Sequence, residues 1–170
     1  MMSHTELALF LAHSLALESE ARERYLELSE SLAAHHNGDA AAFFQRMARE
    51  AEQHLQEVAE LAADQALPQL HPWEYAWPGP EAPESASYEA LHYRMSLSEA
   101  MHLALGKERD AAAYYRHVAS ESPDTETRRV AAGFAAEEER HAAALEAMIA
   151  ELDAPREYHR LDEDDPHLPA

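Results

Sequence analysis

Apolar residues recur every three or four positions through four long stretches of the chain, the spacing that gives an α-helix one buried stripe. The first stripe reads Leu7, Leu11, Ser14, Glu18, Ala21, Tyr25, Leu28, Leu32. The second reads Phe44, Met47, Ala51, His54, Val58, Leu61. The third reads Leu97, Met101, Ala104, Glu108, Ala111, Tyr115, Val118, and the fourth Ala131, Phe134, Glu138, His141, Leu145, Met148, Leu152. Start and stop signals set the expected bounds. Ser3 with Glu6 reads as a capping box for a helix over Thr5 to Ala34, and Asn37-Gly38 as its stop. Asp39 reads as the N-cap of a helix from Ala40 to Ala66. Ser96 with Glu99 caps a third, Leu97 to Ser120. Ser122, with Pro123 in the first helical position, opens a fourth that ends at Leu152.

Short links join the first two helices and the last two, and short links make antiparallel hairpins. The link from Leu67 to Met95 is long and carries five prolines, Pro68, Pro72, Pro78, Pro80 and Pro83. Two hairpins joined by a long crossover give an all-α, ferritin-like antiparallel four-helix bundle. The expected bundle covers residues 1–154. The acidic, proline-punctuated tail of residues 155–170 is expected to be disordered. Helix three repeats helix one: Glu18, Ala21 and Tyr25 share their spacing with Glu108, Ala111 and Tyr115.

Composition narrows the chemistry. Alanine, leucine and glutamate dominate, as helices favour, and 170 residues suffice for one full core. With no cysteine, thiolate zinc and iron–sulfur sites are excluded within the chain, leaving Glu, Asp and 12 His as metal ligands. A formal charge of −20 disfavours nucleic acid and anionic membranes and favours cations. No apolar run reaches the ~20 residues of a membrane span, and the first ten residues do not read as a signal peptide, so a cytoplasmic protein is expected.

The stripes also hold residues that an apolar core does not want. Glu18, Glu108 and Glu138, with His54 and His141, fall mid-helix on buried faces, where an antiparallel bundle brings them to similar heights. A lone buried carboxylate costs several kcal/mol unless neutralised, and three together repel one another. A divalent cation removes both difficulties. Each residue has a plainer reading: Glu18 could pair with Arg22 four positions on, and each histidine alone could be an ordinary core or boundary residue. Glu138 and His141 form a Glu-x-x-His pair on one helix face. A di-iron bundle uses two such pairs plus one Glu from each other helix. Here the second pair is broken, because Ala51 stands three residues before His54. Glu50 is a candidate replacement, about 40° from His54 around the helix, on the other side from Ala51. It is equally a candidate for a solvated surface residue. Tyr25 and Tyr115 are core residues whose hydroxyls could hydrogen-bond metal-binding carboxylates.

At these residues the chain resembles the rubrerythrin family of the ferritin-like superfamily, over roughly residues 5–152. Glu18-Ser19-Glu20-Ala21-Arg22-Glu23-Arg24-Tyr25 is similar to that family's first ligand helix. Ala135-Ala136-Glu137-Glu138-Glu139-Arg140-His141 is similar to its fourth. The resemblance implies a di-iron centre that reduces hydrogen peroxide, often in a homodimer or larger assembly. Glu18, Glu108 and Glu138 would be carboxylate ligands, and His54 and His141 imidazole ligands. Two departures matter. Many rubrerythrins end in a four-cysteine rubredoxin domain; a cysteine-free chain needs a separate electron donor. The family's bridging Glu of helix two aligns with Ala51.

The expected function is therefore a non-haem di-iron oxidoreductase acting on peroxide or dioxygen. Two irons are expected, with manganese or zinc accepted by the same ligands. The alternatives are iron or metal handling (ferroxidase, storage or delivery) without peroxidase turnover, and a degenerate, non-enzymatic bundle. The crossover segment His71-Pro72-Trp73-Glu74-Tyr75-Ala76-Trp77-Pro78 reads as packing on the bundle, or else as a docking or dimer patch.

Overall fold

A computed structural model describes residues 5–69 and 95–154. Four helices fill them: α1 (Glu6–Ala34), α2 (Gly38–Ala62), α3 (Leu97–Glu121) and α4 (Thr125–Asp153). α1 packs closely along α2, and α3 along α4; the hairpins approach each other more sparsely, so their side chains fill the space between. This is the expected bundle of two hairpins. No helix among the described residues is long and apolar enough to cross a membrane. The proline-rich crossover, its aromatic segment and the acidic tail lie outside the described residues.

The helix boundaries correct three of the expected caps. α1 is capped by Thr5, whose hydroxyl accepts from Ala8 N–H at 3.0 Å; Ser3 lies outside the described residues. α2 starts at Gly38, not Ala40, with Asn37 rather than Asp39 as N-cap. The Asn37 side chain makes no capping bond and instead donates to the Met95 carbonyl at 2.6 Å, tying this turn to the foot of α3. Asp39 sits in the first turn, where its charge meets the positive end of the helix dipole. α4 is capped by Asp124, which accepts from Thr127 N–H at 2.9 Å and its hydroxyl at 2.6 Å. Pro123 thus precedes the helix, and Ser122 closes α3. Ser96 caps α3 as expected, accepting from Glu99 N–H at 3.0 Å.

α1 ends on a Schellman motif. Asn37 N–H donates to Leu32 C=O and His36 N–H to Ala33 C=O. The left-handed residue this motif requires is His36, with φ 61°, not Gly38.

Burial follows the expected stripes with one slip: Leu61 is exposed, and Ala62 takes the buried place at the end of α2. The apolar core forms two clusters. One contains Tyr25, Phe44, Met47, Met101, Leu145 and Ile149. The other contains Phe10, Leu11, Val58, Tyr115, Phe134 and Ala135. Each helix passes from one to the other through an ionisable residue: Glu18, His54, Glu108 and Glu138 form a polar layer between two apolar ones.

Candidate metal centre

α1 brings Glu18 to this layer between Leu17 and Tyr25, and α2 brings His54 between Ala51 and Val58. His54 Nδ1 lies 3.0 Å from Glu18 Oε1 and 2.8 Å from Glu138 Oε1. The other oxygen of Glu138 faces the opposite way. Its Oε2 is 3.6 Å from His141 Nδ1, and that nitrogen is 3.6 Å from Glu108 Oε2. Two three-residue groups result: Glu18, His54 and Glu138, and Glu108, Glu138 and His141. Each contains one imidazole and one carboxylate of its own, and they share Glu138 through its two oxygens. The i, i+3 spacing on α4 puts Glu138 and His141 on one face, as expected.

The plainer reading of Glu18 does not hold, because Arg22 pairs with Glu52 of α2 at 2.6 Å and Arg24 with Glu20 and Glu27. Beside Glu108, Arg109 turns out to Glu146 at 2.7 Å. Tyr115 reaches across from the other hairpin and donates its hydroxyl to Glu18 Oε1 at 2.9 Å. Tyr25 lines the same cavity and stacks on Phe44. Glu50 also borders the cavity, but its carboxylate lies 3.5 Å from Arg46 and is outside both three-residue groups. The cavity measures about 40 Å³ and runs past Ala51, His54 and His141. A glutamate at position 51 would extend into it. His102 is exposed on α3, hydrogen-bonded to the Ser98 carbonyl at 2.8 Å, and His92 lies outside the described residues.

The electrostatics describe a site that has to hold positive charge. Burial raises the carboxyl pKa of Glu18, and raises that of Glu108 well above the usual range, helped by neighbouring Glu138. Burial acts on Glu138 in the same direction, yet Glu108, His141 and His54 around it pull its pKa far below the ordinary value. Burial opposes a charge on His54, but the flanking Glu138 and Glu18 outweigh it and lift its pKa to about 11. Glu108 and Glu138 lift His141 to about 10. Burial, with the charges of Glu18 and Glu138, pushes the Tyr115 phenol well above 10, so it stays a donor. Without metal, the layer offsets its carboxylate charge with protons on the two imidazoles.

His54 is where that balance falls short. It is 1 % exposed, packed edge-on against Phe134 at 5.0 Å and near Tyr115 at 6.1 Å. Neither ring nitrogen makes a hydrogen bond of acceptable geometry. A buried imidazole without a hydrogen bond is costly, and two carboxylate oxygens within 3.0 Å of one nitrogen are better placed around a cation than around a proton. Ligand atoms about 2.1 Å from an ion stand roughly 3 to 3.5 Å apart, close to the nitrogen–oxygen separations in both groups. The residues therefore fit a carboxylate/histidine metal centre.

Two carboxylates that the stripe pattern passes over also approach His54. Glu137 Oε2 lies 3.9 Å from Nε2, and Glu57 joins them in a third group. The only trace in the sequence is His54-x-x-Glu57, the reverse of Glu-x-x-His at the same spacing.

Comparison with known proteins bears on the family and the fold. Residues 10–149 match the rubrerythrin family. The fold is similar to the crystal structure of an uncharacterized conserved protein from Magnetospirillum magnetotacticum, with a TM-score of 0.69 and 39 % identity over 89 % of this chain and 97 % of that one. No curated protein matches at a significant level. With a family match over most of its length, a two-hairpin bundle and a carboxylate/histidine layer in its core, the chain belongs to the rubrerythrin family.

Proposed function

We propose that the two groups sharing Glu138 hold a pair of iron ions and that the protein is a non-haem di-iron oxidoreductase reducing peroxide or dioxygen. The observation that carries this reading is the split of Glu138, with Oε1 toward Glu18 and His54 and Oε2 toward Glu108 and His141. Bound iron supplies one-electron changes between ferrous and ferric states, and manganese or zinc fits the same ligands without the same redox chemistry.

The chain's own residues divide the remaining work. Glu18 and His54 would hold one ion, Glu108 and His141 the other, with Glu138 available to both. Tyr115 fixes the Glu18 carboxylate through its hydrogen bond. Phe10, Phe134 and Tyr115 wall off water on the His54 side. The cavity beside Ala51 leaves room for a small oxygen substrate, and the half-buried His141 marks its more open side. Reducing hydrogen peroxide to two waters takes two electrons and two protons. With no thiol in the chain, the electrons come from a separate donor.

The test is the reoxidation rate of the reduced, iron-loaded protein by hydrogen peroxide. A rate well above that of a Glu18→Gln/Glu108→Gln control supports the reading, and equal rates reject it. A second reading, metal handling without peroxidase turnover, is favoured by Ala51, which leaves Glu138 as the only bridge between the two positions in the described layer. It predicts ferrous oxidation by dioxygen, or simple retention, with no acceleration by peroxide.

A further inference from the structure

We propose that Glu57, Glu137 and the Nε2 atom of His54 form an outer site for a divalent transition-metal cation, through which the buried centre is loaded. The inner centre as read above enters this inference through the shared ring of His54.

The two faces of that ring meet different surroundings. Nδ1 points at Glu18 and Glu138 inside the polar layer. Nε2 points the other way, toward Glu137 at 3.9 Å, and Glu57 completes a group with His54 and Glu137 whose ligand atoms lie within 4.8 Å of one another. Glu57 is exposed, the Glu137 side chain is 22 % exposed and His54 is 1 % exposed, so the three step in burial from the surface to the core. The acidic pair alone would be a solvated surface. What sets it apart is the buried nitrogen aimed into it, which makes no hydrogen bond. An imidazole nitrogen and two carboxylate oxygens are a ligand set for manganese, ferrous iron, cobalt or zinc.

The chemistry of the ring makes outer and inner occupancy through His54 alternatives. A neutral imidazole has one lone pair and one N–H. A cation on Nε2 leaves the proton on Nδ1, where it faces the Glu18 and Glu138 carboxylates. A cation on Nδ1 moves the proton to Nε2, where it faces Glu137. A single ring thus offers its lone pair to one side at a time, so outer and inner occupancy through His54 exclude each other. Position 51 adds a geometric point. Ala51 removes a carboxylate one turn before His54, while Glu57 supplies one about a turn after it, on the other side of the ring. The second helix thus carries its carboxylate near His54 on the outward side.

The test is loading with cobalt(II) alone, followed by visible absorption in stopped flow and by metal content at completion. The Glu57→Gln/Glu137→Gln protein alters two solvent-accessible side chains and should fold, as circular dichroism will check. It is expected to load at least tenfold more slowly than the wild type while still reaching the wild-type metal content. Loading at the wild-type rate overturns the proposal. A second variant, Glu138→Gln, removes the carboxylate shared by both inner groups. It is expected to retain one cobalt per chain, lost when Glu57 and Glu137 are also changed to Gln. Retention of no cobalt, or of cobalt indifferent to Glu57 and Glu137, overturns the outer site. A wild-type metal content that Glu138→Gln does not lower would instead reject the inner centre, so the two failures are separable.

Discussion

His54 and His141 hold matching places on the second helix of each hairpin, yet the His54 side chain is 1 % exposed and that of His141 26 %. The α1–α2 half of the layer is closed by Phe134 and Tyr115, with carboxylate oxygens 2.8 and 3.0 Å from its histidine. The α3–α4 half is more open, and its corresponding distances are both 3.6 Å. Near-identical ligand types thus sit in two environments. In the closed half, burial forces the ligands to find a positive partner, which is why His54 is held protonated without metal. In the open half water can relax the arrangement. The Glu-x-x-His pair is complete only on the open side, so the proposed centre relies on Glu138 to serve both.

The largest effect should come from removing what the halves share. Glu138→Gln is expected to cut the metal content of reconstituted protein from two ions per chain to about one, held at the outer site, and to almost none when Glu57 and Glu137 are also changed to Gln, by elemental analysis. One ion retained after all three changes would show that the halves bind independently.

Adding the missing carboxylate should sharpen the comparison in the other direction. In Ala51→Glu, the metal-free protein gains a buried carboxylate and should lose roughly 2–4 kcal/mol of stability. The loaded protein should recover it and bind the second ion at least about tenfold more tightly. Melting temperatures with and without metal check this pair of opposite shifts.

Protons and metal compete for the same nitrogens. His54 and His141 are raised to about 11 and about 10, so both are charged in the metal-free protein at neutral pH. A ligand histidine must be neutral, so loading releases protons, and apparent affinity falls as pH drops below 10. Loading at pH 7 should release on the order of two protons per chain, measured with an indicator dye. Release of none would mean that the imidazoles are already neutral.

Smaller effects probe one hairpin at a time. Tyr115→Phe removes the hydrogen bond to Glu18 and should weaken metal held in the closed half by roughly tenfold, leaving the open half within about twofold. His36→Gly relieves the left-handed residue at the end of α1 and should raise the melting temperature by an amount equivalent to about 0.5–1 kcal/mol, with no change in metal content.

Much of this was legible in the sequence because a charge on an apolar stripe is a local contradiction. The helical repeat told which face was buried, and Glu18, His54, Glu108 and Glu138 broke it at similar heights. The repeat cannot choose among neighbouring cap residues: Ser3, Asp39 and Ser122 lost to Thr5, Asn37 and Asp124 through contacts such as Asp124 with Thr127. Nor does it place Leu61 outside and Ala62 inside. The Tyr115–Glu18 bond links residues 97 positions apart and depends on how the hairpins pack. Glu57 and Glu137 lie off the stripes, and only the direction of the His54 ring makes them notable. Glu50, near the cavity but beside Arg46, was ambiguous by angle because an edge position can turn either way.

The most direct test of the central claim is an anaerobic titration of metal-free protein with ferrous iron, followed by desalting and elemental analysis, for the wild type and Glu138→Gln. The prediction is close to two irons per chain in the wild type and no more than one, at the outer site, in the variant. One iron in the wild type, or two that survive the loss of Glu138, would contradict a pair of ions bridged by that carboxylate.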